Sequence, residues 1–246
     1  MPREQVSIKT ADGTCPATVF TPKGSGPWPA AIFYMDGLAI RPALLDMGER
    51  LANAGFVVLL PDLFYRAGPY VPMDPKTVFA QPDIRKALGR FFSSTDNKRA
   101  AEDTRAFIAY LDTRSDVAGP KIGTVGYCMG GGMAIAAAGA YPDRIAAAAS
   151  FHGGNLANDT ELSPHLLAPK IRARLYIGVA DQDHSYPPEM AERFEKALNE
   201  AHVDYRSEFY PGAKHGWTQT DFPIYDKAAS ERHWRALIDL FDATLK

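Results

Sequence analysis

Cysteine is scarce in this chain, with only Cys15 and Cys128 among 246 residues. The two form no CxxC pair and stand in no Cys/His spacing of the kind that holds structural zinc. A disulfide framework is therefore not expected, and a reducing, cytoplasmic setting is. Long apolar runs are also missing. No stretch approaches the roughly 18 apolar residues of a membrane span, and the opening MPREQVSIKT lacks the apolar core of a secretory signal. Charge of one sign is not concentrated anywhere. The 27 basic and 29 acidic residues give a formal charge of −2 without a long block of either, which speaks against nucleic acid or an anionic membrane as partner. What remains is an ordinary globular composition, 46% hydrophobic and 23% charged. That is enough for a full-sized core in a single domain over residues 1–246.

Short, nearly continuous apolar runs recur along the chain. QVSIKT and CPATVF flank an Asp-Gly turn and predict an N-terminal hairpin. Further strands are expected at 30–35, 56–60, 121–127, 145–150, 174–180 and 204–210, their lack of alternation marking strands covered on both faces. Helical patterns lie between them at 41–55, 96–113, 129–141, 187–202 and 225–245. Eight strands, with helices alternating after the first pair, predict an α/β fold with a mostly parallel sheet and an antiparallel edge hairpin, helices covering both faces. Residues 65–94, rich in proline and aromatics, fit that alternation poorly and read as a loop-rich excursion over one face. The chain carries no extended apolar stripe of the kind an obligate partner covers; a monomer is expected, with a dimer left open.

The chemistry centres on GYCMG, residues 126–130, which has the form of the nucleophile elbow G-x-S-x-G with cysteine in place of serine. An elbow needs small residues two positions either side of the nucleophile, because strand and helix must approach closely there. The helix that follows aims partial positive charge at the sulfur, and the amide of Met129 is a natural oxyanion donor. The competing reading makes Cys128 a small packed hydrophobe at a glycine-rich crossing. A general base is expected at His215, in the loop YPGAKHGW after the last predicted strand, which gives the chain order nucleophile, acid, histidine. His152, closing the strand after the elbow helix, is a candidate for the pocket lining. The orienting acid should follow RLYIGVA, where ADQDHSYPPE offers Asp181 and Asp183; residue spacing alone leaves the two open.

GYCMGG (126–131), DHSYP (183–187), YPGAKHGW (210–217) and LLPDLFYR (59–66) together resemble the dienelactone hydrolase, or carboxymethylenebutenolidase, family of the α/β-hydrolase superfamily. The likeness runs through most of the chain in order. It implies an α/β-hydrolase fold and a Cys-His-Asp triad that opens enol-lactones through a thioester, with no metal or organic cofactor. It favours Asp183 as the acid. It also implies an acid beside the nucleophile at the end of the third strand, a position held here by Asp36 in FYMDGLAI, and makes the next amide, Gly37, the second oxyanion donor. In the family, arginines receive the substrate carboxylate. Gln219 stands at one of those positions here, which weakens the expectation of dienelactone itself; Arg85 is the candidate for the other, with Arg66 and Arg41 as further candidates. His152 and Trp217 are expected to wall an aromatic substrate pocket. The substrate expected is a small ester or lactone, because thiolates attack well but also leave well, which suits an activated ester better than an amide. A general carboxylesterase or thioesterase of the same fold, and a noncatalytic small-molecule-binding relative, are the alternatives.

Overall fold

The computed structural model describes residues 3–246, apart from the side chain of Arg85. Among these residues, eight strands form one sheet in the order β1-β2-β4-β3-β5-β6-β7-β8. The N-terminal hairpin, β1 (Arg3–Lys9) and β2 (Thr14–Phe20), is antiparallel, and β2 runs antiparallel to β4 (Val57–Pro61). Its turn closes through Thr10 N–H donating to Gly13 O at 2.8 Å. Every other pairing is parallel, through β3 (Trp28–Tyr34), β5 (Val117–Tyr127), β6 (Ile145–Phe151), β7 (Arg174–Ala180) and β8 (Tyr205–Tyr210). The strand alternation expected from the apolar runs is thus present, with the antiparallel pair at one edge. The α/β-hydrolase architecture expected from the resemblance is the one observed.

The central strands read as solid apolar runs because helices cover both faces of the sheet. Long helices α1 (Pro42–Asn53), α4 (Asn97–Asp112), α6 (Pro188–Glu200) and α7 (Lys227–Leu245) supply that cover, with α5 (Met129–Ala140) innermost. α5 has no polar stripe at all, and its small residues are buried almost all round, as a helix enclosed by the fold must be. Side-chain caps set two of the starts. Asp96 accepts from Arg99 N–H at 2.8 Å ahead of α4, and Asp226 from Ala229 N–H at 3.0 Å ahead of α7.

Residues 65–94 contain more regular structure than a loop-rich excursion. A 3-10 turn (Tyr65–Ala67) leads to two short helices, α2 (Pro75–Phe79) and α3 (Ile84–Phe92). Asp74 and Asp83 cap them, and Pro75 takes the first helical position of α2, where its missing N–H costs nothing. Neither helix is long enough to show through the prolines as a clear periodic signal. The parallel strands β3, β5, β6, β7 and β8 end on the same side of the sheet, where ligand sites of such folds lie. The loops leaving those ends carry Cys128, Asp183 and His215.

Candidate active site

β5 ends at Tyr127 and α5 begins at Met129, leaving Cys128 alone at the corner with φ 55° and ψ −117°. A non-glycine residue held at positive φ costs about 1–3 kcal/mol, and such strain concentrates at functional positions. The neighbouring glycines explain how the corner closes. A Cβ at Gly126 would lie 1.8 Å from Gly130 O, and one at Gly130 would lie 2.3 Å from Tyr34 O and 2.6 Å from Met35 O. Strand and helix therefore touch backbone to backbone, and the start of α5 abuts the end of β3. The loop Asp36–Gly37 leaves β3 directly after that contact. As the first residue of α5, Met129 has an N–H with no acceptor inside the helix. Cys128 itself is half-buried, whereas Cys15 is fully buried and desolvation pushes its thiol well above the ordinary range.

The loops after β7 and β8 supply the other two groups. His215 Nδ1 meets Asp183 Oδ2 at 2.6 Å. The other oxygen of Asp183 accepts from Ser185 N–H at 2.8 Å and Ser185 O–H at 2.6 Å. Asp181 does not reach the imidazole; its Oδ2 accepts from Gly212 N–H at 2.8 Å, and its own N–H donates to Ala213 O at 2.7 Å. Gln182, at φ 53°, turns the chain between the two acids, so that Asp181 ties down the base of the histidine loop while Asp183 meets the ring. Burial alone draws His215 downward, but the charge of Cys128 and hydrogen bonds to Asp183 and Cys128 outweigh it and carry the imidazole up to about 10. For Asp183 burial acts upward, and the bonds from His215 and Ser185 still hold its carboxyl below the usual carboxylate range. The imidazole thus bonds to both Asp183 and Cys128, in an electrostatic setting that favours its charged form.

Several expected site residues sit elsewhere than the sequence suggests. His152 is 1% exposed, so it cannot wall a substrate pocket. Its Nδ1 accepts from Cys128 N–H at 3.2 Å, and its Nε2 pairs with Thr218 Oγ1 at 2.8 Å, so the proton lies on Nε2. Desolvation, with the nearby His215 charge, keeps this ring neutral, well below the ordinary histidine value. It is a strut between the elbow and the histidine loop. Trp217 is wholly buried too, stacked on Tyr210 with centroids 4.7 Å apart and edge-on to His152 at 4.9 Å. It packs beneath the site and does not line it.

Asp36 also departs from expectation. Its carboxylate is gripped by Arg41, NH1 to Oδ1 at 2.8 Å and NH2 to Oδ2 at 2.9 Å, and accepts from Leu38 N–H at 2.8 Å. A carboxylate so engaged is committed to its own loop rather than to the nucleophile. The arginines considered for a substrate carboxylate are likewise taken. Arg41 also holds Asp221, and Arg66 is forked onto Asp103 with a further bond to Asp12. Gln219 is fully buried. Arg85 lies on α3, and its side chain is outside the described residues. The half-exposed Phe92 of α3 was not singled out from the sequence, yet it covers the loop: a Cβ at Gly37 would come within 2.9 Å of its ring. Among the described residues, no three or more His, Cys, Asp and Glu side chains gather as a metal site would require. No described helix is long and apolar enough to cross a membrane.

Comparison with known proteins bears on the family and the fold. A candidate carboxymethylenebutenolidase of Synechocystis is 28% identical over 228 residues, covering 92% of this chain and 90% of that one. The carboxymethylenebutenolidase of Pseudomonas putida is 25% identical over 229 residues, covering 92% and 91%. Among solved structures, a candidate dienelactone hydrolase of Klebsiella pneumoniae superposes with a TM-score of 0.85 at 22% identity, covering 98% of each chain; at that identity it speaks for the fold. The model of the dienelactone hydrolase family matches residues 15–245, nearly the whole chain, and this protein belongs to that family.

Proposed function

We propose that this enzyme hydrolyses an ester or enol-lactone through a thioester on Cys128, with His215 as acid and base and Asp183 orienting it. The observation that carries the reading is His215 bonded to Asp183 at 2.6 Å and to Cys128, with the imidazole raised to about 10. His215 takes the proton of the Cys128 thiol, and the thiolate–imidazolium pair so formed begins the reaction. The thiolate attacks the carbonyl carbon; a C–S bond forms and the carbonyl π pair moves to oxygen. That oxyanion is received by the N–H groups of Met129 and Gly37. Collapse restores the carbonyl and breaks the bond to the leaving oxygen, which takes the proton from His215 Nε2. The neutral imidazole then draws a proton from water as the water attacks the thioester, and the second collapse expels the Cys128 thiolate beside a renewed imidazolium. Asp183 keeps the Nδ1 proton in place throughout.

A substrate without a carboxylate is favoured over the carboxylate-bearing dienelactone. Of the arginines considered, Arg41 and Arg66 are already paired inside the protein, and Gln219 is buried. The half-exposed Phe79 and Phe92 on α2 and α3 suit an apolar ester group. The test compares dienelactone and 4-nitrophenyl acetate as substrates for the wild type and Cys128→Ala. Hydrolysis of the neutral ester that disappears in the variant is expected. Undiminished hydrolysis by Cys128→Ala, or a wild type inert to both, would overturn the reading.

A further inference from the structure

Arg41 is an unusual residue to find buried. It immediately precedes α1, yet its side chain is only 2% exposed, as is that of Asp36. All three guanidinium nitrogens are engaged. Beyond the fork onto Asp36, NH1 donates to Ala39 O at 3.1 Å, Nε donates to Asp221 Oδ2 at 2.6 Å, and NH2 donates to Asp221 Oδ1 at 3.2 Å. The guanidinium lies 5.0 Å over the ring of Phe222, which in turn meets Phe79 of α2 edge-on at 4.9 Å. One cation thus joins the loop after β3, the loop after β8 and the excursion over the site.

A buried ion pair seldom stabilises a fold much, because desolvating the charges offsets most of their attraction. Two carboxylates on one guanidinium leave an excess negative charge, which makes the arrangement costlier still. What it does supply is geometry. Asp36 is gripped by Arg41 and also accepts the N–H of Leu38, so the Gly37 peptide is pinned from both sides. Asp221 belongs to the loop that begins at His215, whose internal bonds (Gln219 N–H to Gly216 O, Asp226 N–H to Trp217 O) make it a compact unit. We propose that Arg41 is a positioning residue, a clamp that holds the Gly37 oxyanion donor in register with the loop carrying His215. This rests on the hydrolase reading above and gives the clamp a place in it. Lysine cannot replace it, since only the planar fork spans two carboxylates at once.

The test uses Arg41→Lys and Asp221→Asn with two reactions of the same sulfur. Hydrolysis of 4-nitrophenyl acetate needs the oxyanion donors; alkylation of Cys128 by iodoacetamide forms no oxyanion and needs only the thiolate. Losing an oxyanion donor outright costs about 100- to 1,000-fold in kcat, so a misplaced one in Arg41→Lys should cost about 30-fold, with KM and the alkylation rate each within about threefold of wild type. Asp221→Asn, which keeps the Asp36 arm, should lose about 3- to 10-fold in kcat and also alkylate normally. Alkylation falling in step with hydrolysis would mean general disruption and overturn the clamp, as would a kcat within about threefold of wild type in both variants. Should Arg41→Lys not fold, Asp221→Asn decides alone, because Asp221 is 28% exposed and tolerates the change, and an unaltered kcat there refutes the coupling. A wild type that alkylates but hydrolyses no ester locates the failure in the hydrolase reading instead, and the clamp falls with it.

Discussion

Replacing Asp183 by asparagine should nearly abolish turnover, for a reason that lies in three hydrogen bonds. Oδ1 of Asp183 accepts from two Ser185 donors, and Oδ2 faces His215 Nδ1 at 2.6 Å. In the isosteric amide only one atom can serve the Ser185 donors, and it must be the oxygen. The NH2 group then points at His215 Nδ1, which has to become an acceptor, so the neutral ring carries its proton on Nε2. A ring in that tautomer cannot take a proton from water in the second half of the reaction. The same inversion in a serine triad lowers kcat about 10,000-fold, and a loss of about 100- to 10,000-fold is expected here. The pH profile should move as well. The carboxylate favours the charged imidazole, so removing it lowers the His215 pKa from about 10, and the alkaline limb of kcat/KM should shift to lower pH. The assay is 4-nitrophenyl acetate hydrolysis from pH 6 to 11, beside Asp181→Asn as control. Asp181 bonds only to the loop backbone, so its variant should keep most of the activity. Asp183→Asn retaining more than about a tenth of wild-type kcat, or Asp181→Asn falling as far, would refute the reasoning.

Two further predictions concern the frame around the site. Gly126→Ala places a methyl 1.8 Å from Gly130 O, a backbone atom with nowhere to go, and should destabilise the fold by about 3 kcal/mol or more, measured by urea unfolding. Acid stability should follow the buried histidines. His233 sits between Tyr127 OH and Ser230 O, and burial presses it down to about 3, while His152 is pressed the same way. An unfolded chain binds those protons near 6.5 and the folded one does not, so stability is present above that pH and drains as pH falls from there toward 3. The slope should be about 1.4 kcal/mol per pH unit for each histidine, and His233→Phe should remove one histidine's share.

The strands, long helices and elbow were legible because each rests on local rules. Apolar runs of strand length, caps such as Asp96 and the small residues around Cys128 all act over a few positions. The place of His215 in a loop after the last strand could be read from chain order. The choice between Asp181 and Asp183 could not, because a positive-φ turn at Gln182 settles which way each points. His152 and Trp217 misled for a related reason: an aromatic near a site in sequence is as able to support it from below as to line it. The Arg41 clamp joins positions 180 residues apart, beyond any local pattern. Helices α2 and α3 were hidden by their own brevity.

The most direct test of the account is to catch the covalent intermediate. Wild-type enzyme mixed with 4-nitrophenyl acetate should be quenched in acid within the first turnovers and its peptides weighed by mass spectrometry. An acetyl group on the peptide carrying Cys128, released on further incubation and missing from Cys128→Ala, is the result the account predicts. Continued hydrolysis with no acyl group on Cys128, and with the alanine variant still active, would contradict it.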